Sequence, residues 1–76
     1  MNHTFYKYVL FFRGGPKSDL KAMFAEAMFY DQSFPKHSDE FEEISRYIEE
    51  LAHVDMSATI FDELWSLYET NVRSQS

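Results

Sequence analysis

The sequence predicts an all-α fold, a compact four-helix bundle that forms a single domain over residues 1–76. Three observations predict this class. Apolar residues recur at the i, i+3, i+4 and i+7 spacing of a helix face in each segment between the breaks. No stretch alternates apolar and polar residues for long enough to make a strand. Eight Phe, five Tyr and one Trp make up 18% of a chain that has no cysteine, so an aromatic core must stabilise it without disulfides.

The first predicted helix covers residues 4–13 and begins at Thr4, whose hydroxyl can cap the first turn. Apolar residues occupy nearly all of its surface, so we expect it to lie between the other helices. The face at helical spacing consists of Phe5, Tyr8, Val9 and Phe12. Arg13 suits the negative end of the helix dipole, and the sequence GGP at 14–16 then ends the helix.

The second predicted helix covers residues 19–30, with Ser18 as its N-cap. Its apolar stripe consists of Leu20, Met23, Phe24, Ala27 and Met28. The connection that follows contains QSFPKHS at 32–38, where Pro35 holds Phe34 in an extended conformation. Phe34 is too large and apolar for an exposed spacer. We therefore expect Phe34 to fill the core between the second and third helices, while Pro35 stiffens the bend.

The third predicted helix covers residues 39–52, and either Ser38 or Asp39, with Glu42 completing a capping box, can begin it. The fourth covers residues 58–72 with Ser57 or Thr59 as its cap. The tail at 73–76 has nothing to bury and is expected to fray. The predicted core of the whole domain consists of Phe5, Val9, Phe12, Phe24, Phe34, Pro35, Phe41, Ile44, Ile48, Phe61, Leu64, Trp65 and Tyr68.

The charge of the chain is −6 and is unevenly spread. Residues 1–38 carry five basic and three acidic side chains, a balance of +2, whereas residues 39–76 carry two basic and ten acidic ones, a balance of −8. The acidic half opposes binding to nucleic acid, which attracts clustered Lys and Arg. The longest apolar run, VLFF at 9–12, is too short to span a bilayer, and the residues around it lack the basic n-region and the A-x-A-like cleavage site typical of a signal peptide. We expect a cytoplasmic protein that does not enter membranes.

The sequence offers no convincing catalytic or cofactor site, and we expect neither an enzyme nor a bound cofactor. It has no cysteine, no G-x-S-x-G motif and no serine clearly paired with a histidine. His37 and His53 each precede an aspartate by two positions, but a closed zinc site usually needs four ligands. The glycine pair at 14–15 lacks the G-K-[ST] of a phosphate-binding loop, so it indicates the end of a helix.

A candidate interaction surface surrounds the start of the third helix. Pro35 would hold the basic pair after it rigidly in solvent, next to acidic side chains. Tyr47 lies off the apolar stripe of that helix and is predicted to be an exposed aromatic contact. The candidate residues are Lys36, His37, Asp39, Glu40, Glu43 and Tyr47.

Three stretches of the chain resemble the YozE-like family of small bacterial proteins. They are TFYKY at 4–8, SFPKHSDEFEEISRYIE at 33–49 and FDELWSLYE at 61–69. The resemblance covers nearly the whole chain in the same order. It implies a four-helix fold similar to sterile alpha motif (SAM) domains and an origin in Firmicute-type bacteria. It supplies no catalytic residues, because the family has no characterised activity.

Two hypotheses about function follow from these observations. The leading one is a non-catalytic protein-interaction module that binds an unknown protein partner or associates weakly with itself, as a monomer or weak oligomer. An acidic patch at Asp39, Glu40, Glu42, Glu43, Glu49 and Glu50 would then meet a basic patch. The predicted basic patch consists of Lys7, Arg13, Lys17, Lys21 and Lys36. The alternative is a nucleic-acid-binding helical domain that contacts phosphates through Lys17, Lys21, Lys36 and His37, which the overall charge disfavours.

Overall fold

Four helices and their connections make up the described part of the chain, residues 4–72, in a computed structural model. In chain order the helices are α1 (Phe5–Leu10), α2 (Leu20–Tyr30), α3 (Phe41–Leu51) and α4 (Ala58–Asn71). The predicted all-α class is confirmed. The Cα radius of gyration is 11.5 Å, close to the roughly 11 Å expected of a compact domain of this length. The predicted fraying at 73–76 lies outside the described residues.

Side chains cap three of the four helices. The Thr4 hydroxyl accepts a hydrogen bond from the amide of Lys7 at 3.3 Å, and the Ser57 hydroxyl accepts one from the amide of Ile60 at 3.2 Å. The prediction that Ser18 caps α2 is wrong, because Asp19 does so. Its carboxylate accepts hydrogen bonds from the amides of the second and third helical residues, whereas Ser18 lies in the preceding turn.

The third helix begins two residues later than predicted, and neither Ser38 nor Asp39 occupies its N-cap position. That position belongs to Glu40, whose side chain makes no capping hydrogen bond. The Ser38 hydroxyl accepts a hydrogen bond from the Glu40 amide and donates one to the Glu43 carboxylate at 2.7 Å, so it orders the approach to the helix. Glu42 and Glu43 lie in the first turn, where the helix dipole favours negative charge.

The first helix ends at Leu10, three residues earlier than predicted. The chain continues in a tighter coil, because the amides of residues 11, 12 and 13 each donate to the carbonyl three positions back. Gly14 then adopts a φ of +88°, a conformation that side chains with a Cβ rarely adopt. The tighter coil turns Phe12 partly away from the core, so the ring is half-buried.

The core forms where α4 packs against each of the other three helices. Helix α1 also packs against α2, but α3 packs directly on α4 alone among the helices. The ring of Phe5 lies at the centre, with ring centroids of Phe61, Trp65 and Tyr68 at 5.3, 5.4 and 5.7 Å. Because α2 and α3 do not pack on each other, a gap remains between them.

Three residues of the predicted core lie nearer the surface than expected. Phe12 and Pro35 are half-buried, and Phe41 is 41% exposed. Phe41 is the first residue of α3, and its ring stacks on the outer side of Phe61 at 5.4 Å. The other ten predicted core residues are buried. The core also contains residues that the predicted core left out, namely Tyr6, Ala25, Met28 and, from the connection between α3 and α4, Met56.

The connection at 32–38 is tied to the core by Phe34, which is 3% exposed. Its ring lies 5.7 Å from that of Tyr6 in α1 and 5.5 Å from that of Tyr47 in α3. Phe34 therefore connects α1 to α3, and its contacts with the core hold the surrounding loop in place.

Candidate functional site

An open groove with a volume of about 660 Å³ lies beside α2. It follows the gap between α2 and the C-terminal end of α3. Residues 22, 23, 26, 27 and 30 line it, and their spacing places them on one face of α2 along the whole length of the helix. The opposite wall contains Leu51 at the end of α3 and residues 53 and 55 after it.

The floor of the groove is apolar, and two of its four side chains are alanines. Ala22, Met23 and Ala27 provide the α2 side, and Leu51 provides the α3 side. Gly15 in the preceding loop allows the chain to come close to α2, because a Cβ at this position would lie only 2.9 Å from the Cβ of Ala22. The loop therefore packs closely on the first turn of α2, where Ala22 is buried.

Charged side chains from three connections line the groove. Lys17 precedes the start of α2, Asp31 follows the end of α2, and Asp55 lies in the connection after α3. Neither α2 nor α3 has a basic residue in its last turn, so nothing in these turns offsets the negative ends of the two helix dipoles. The Asp55 amide donates to Nδ1 of His53 at 3.0 Å, which orders the imidazole within the connection after α3.

Tyr47 is not the exposed aromatic contact that the sequence predicted. It is half-buried, and its hydroxyl donates a hydrogen bond to the carboxylate of Asp31 at the end of α2. Burial raises the pKa of Tyr47 to about 12, and the hydrogen bond and negative charge of Asp31 act in the same direction. The pair links α3 to the end of α2 and fixes the Asp31 carboxylate at the groove.

A second cluster that the sequence analysis missed lies beside the groove around Arg13. Its guanidinium lies 3.6 Å from the ring centroid of Phe29 and 3.2 Å from the carboxylate of Glu26. The amide of Gly14 also donates to Glu26 at 3.3 Å. Tyr30 next to Phe29 is 73% exposed. The sequence contains a pattern that could have indicated this cluster, because the two aromatic residues Phe29 and Tyr30 end α2 outside its apolar stripe.

The other predicted site residues lie in two separate shallow depressions. Lys36, His37 and Glu43 share one of them with Phe34 and Pro35, and the ammonium group of Lys36 lies 5.8 Å from the ring centroid of Tyr6. Asp39 and Glu40 line the other, together with Phe41, Glu42, Trp65 and Glu69. Five of the six candidate residues therefore line one or other of these depressions, and Tyr47 lines neither of them.

Two members of the predicted basic patch already have acidic partners within the chain. Arg13 pairs with Glu26 at 3.2 Å, and Lys21 pairs with Glu63 of α4 at 3.1 Å. Both pairs are partly exposed to solvent, so each stabilises the fold only modestly. The basic patch available to a partner is smaller than the sequence suggests.

Within 4–72, no group of three or more His, Cys, Asp or Glu side chains is arranged to hold a metal ion. None of the four helices combines the length and apolar character needed to cross a bilayer.

Comparison with known proteins gives a consistent result. A family model described as the YozE SAM-like fold matches residues 4–70. Proteins named UPF0346 are similar over most of their length. The one from Limosilactobacillus reuteri is 44% identical over 90% of this chain and 93% of its own length. The corresponding values are 46%, 90% and 94% for Bacillus cereus ATCC 10987, and 39%, 88% and 88% for Staphylococcus epidermidis. All three organisms are Firmicutes.

Proposed function

The chain belongs to the YozE SAM-like fold family, and from that premise we propose that it is a small non-catalytic protein-interaction module of the bacterial cytoplasm. The observation that carries the proposal is the open apolar groove along α2, about 660 Å³ in volume. An apolar concave surface of this size is typical of sites where a ligand or a partner side chain is bound.

The distribution of polar groups supports a binding role rather than a catalytic one. Every buried residue in the described part of the chain is apolar or aromatic, and the charged side chains lie at the surface. Catalytic acids and bases usually lie in clefts that desolvate them and shift their pKa values. The groove instead combines an apolar floor with charged groups around it, as in the core and rim of protein interfaces.

The charges favour a different protein over a second copy of the chain as the partner. Head-to-tail association would require the basic patch of one copy to meet the acidic patch of the next. Arg13 and Lys21 are already paired with Glu26 and Glu63, and two copies of charge −6 repel each other. A different protein with basic side chains would not depend on the paired Arg13 and Lys21, and it would be attracted rather than repelled by the negative charge of the chain.

The test is affinity capture from a bacterial cytosolic extract, followed by reconstitution from pure components. We expect one captured protein that forms a stoichiometric complex with the chain in isothermal titration calorimetry, with lower affinity as salt is raised. Light scattering of the chain alone, at low and at high salt, reports self-association. If no protein forms a stoichiometric complex and the chain is monomeric at millimolar concentration in low salt, the proposal fails.

Nucleic acid is the alternative partner, but few of the predicted phosphate-binding side chains are available to contact it. Lys21 is paired with Glu63, and Lys36 lies partly buried near the ring of Tyr6, so two of the four predicted phosphate contacts are already engaged. Fluorescence anisotropy with random duplex and single strands at low salt tests this alternative. Binding at tens of micromolar or below would favour it over a protein partner.

A further inference from the structure

We infer that the sulfur of Met23, on the floor of the groove, is a site of selective and reversible oxidation, and that its sulfoxide makes this floor polar and weakens apolar binding there. The effect on binding rests on the proposed function and adds a regulation of the same groove. The oxidation itself does not depend on that function, because it follows from which sulfur atoms solvent can reach.

The methionines of the chain differ sharply in exposure. The chain has no cysteine, so all of its sulfur belongs to four methionines, three of which lie in the described residues. Met28 is 0% exposed and Met56 is 1% exposed, and both belong to the core. Met23 is half-buried and lines the groove. Among these three residues, a dissolved oxidant therefore reaches the thioether of Met23 most readily.

The geometry of α2 explains this difference. Met23 and Met28 are five positions apart, which rotates their side chains by about 140° from each other around the helix axis. One therefore lines the groove while the other is buried. Ala27 is one turn from Met23 on the groove face, and its small side chain leaves room for an added oxygen atom. The Met23 amide donates to the carbonyl of Asp19 at 3.0 Å, so the backbone of this turn is held independently of the sulfur.

Hydrogen peroxide is an oxidant that fits this site. The uncharged sulfur attacks one peroxide oxygen, so that an S–O bond forms while the O–O bond breaks. The hydrogen on the transferred oxygen passes as a proton to the departing hydroxide, which leaves as water. The sulfur loses two electrons and the peroxide gains them. Methionine sulfoxide reductases reverse the step, whereas buried methionines react only when the chain opens.

Oxidation changes the polarity of the groove floor but not its charge. The floor consists of four apolar side chains, and Met23 is one of the two that are larger than alanine. A sulfoxide oxygen at this position is a hydrogen-bond acceptor that binds water. An apolar group docked on the floor would displace that water, which disfavours binding. The neighbouring ion pair between Arg13 and Glu26 keeps its charges, so the fold around the groove is preserved.

The first experiment treats the full chain with hydrogen peroxide and follows sulfoxide formation by peptide mass spectrometry. The tryptic peptide 22–36 contains Met23 and Met28, and fragmentation assigns the added oxygen to one or the other. Met56 falls in peptide 47–73, and Met1, outside the described residues, falls in peptide 1–7. We expect Met23 to oxidise at least about tenfold faster than Met28 and Met56 in the folded chain, and all three at similar rates in concentrated urea.

The second experiment measures binding of Nile red, an uncharged apolar dye, before and after peroxide treatment. Amide signals of the isotopically labelled chain locate the dye. We expect the sulfoxide of Met23 to weaken the affinity about fivefold and a methionine sulfoxide reductase to restore it. Met23→Leu keeps an apolar side chain without sulfur, so peroxide should not change the affinity of this variant relative to its own untreated sample. Met56→Leu, the matched control, removes a buried sulfur at similar volume and should respond to peroxide as the unsubstituted chain does.

Two sets of results would overturn the inference. Oxidation of Met28 or Met56 as fast as that of Met23 in the folded chain would show that the site is not selective. Its effect on the groove would be refuted by an unchanged dye affinity after oxidation, by an equal loss in treated Met23→Leu, or by the absence of dye binding at residues 22–30 and 51. The proposed function is decided separately, by whether a partner protein is captured.

Discussion

Replacing Phe34 by Ala tests whether the loop at 32–38 is anchored to the core. The ring is 3% exposed and lies within 6 Å, centroid to centroid, of the rings of Tyr6 and Tyr47. Removal of a buried phenylalanine ring costs about 3–5 kcal/mol, and we expect the lower half of that range because a loop relaxes more readily than a helix. A domain of this length is stable by only about 4–11 kcal/mol, so the loss would be a large part of the total.

The measurement is urea denaturation followed by the far-ultraviolet circular dichroism of the helices, with the free energy of unfolding extrapolated to water. Phe41→Ala is the matched control, because it deletes the same ring at a position that is 41% exposed. It should cost about 1–2 kcal/mol, since much of that ring is already in water. A loss below about 1 kcal/mol for Phe34→Ala, or a larger loss for Phe41→Ala, would show that the anchoring argument is wrong.

Three further substitutions test local contacts. Tyr47→Phe removes the hydrogen bond to Asp31 and should cost about 1–2 kcal/mol in urea denaturation. Between pH 10 and 12 the folded chain keeps a phenolic proton on Tyr47 that the unfolded chain releases, so its contribution to stability is lost as pH rises, and Tyr47→Phe should remove that part of the loss. Arg13→Lys loses the planar contact with Phe29 and should cost about 0.5–1 kcal/mol, and an unchanged denaturation midpoint would show that the contact contributes nothing. Gly14→Ala forces a side chain into a φ of +88° and should cost about 1–2 kcal/mol, whereas a stabilised variant would contradict the assigned turn.

The helices were predictable because each buries one face. Burial of one face requires apolar residues at helical spacing, and that spacing can be recognised within a single segment of the sequence. The face of α4 at Phe61, Leu64, Trp65 and Tyr68 is an example, since all four side chains are buried as their spacing suggested. Helix ends were less predictable. Ser18 and Asp19 are both good caps, and the choice depends on which side chain the preceding turn directs at the free amides.

Tyr47 shows why the candidate site was harder to predict than the fold. Its position off the α3 stripe suggested exposure, and for α3 alone that reasoning is sound. The residue is instead covered by Phe34 from the connection and bonded to Asp31 from the end of α2. Contacts between segments distant in sequence decide its environment, and no periodicity within one helix contains that information. The groove was missed for the same reason, since it exists because α3 packs on α4 and not on α2.

The connection at 32–38 therefore affects the groove without lining it. Phe34 fixes the loop to the core and packs against the ring of Tyr47, and the hydroxyl of Tyr47 fixes the carboxylate of Asp31 at the groove. A loosened loop would free that carboxylate and weaken the link between the end of α2 and Tyr47 of α3. The basic pair at Lys36 and His37, which the sequence made the centre of a binding site, lies in a shallow depression outside this arrangement. The buried contacts of Phe34 therefore stabilise the loop and, through Tyr47, also position a side chain of the groove proposed for binding.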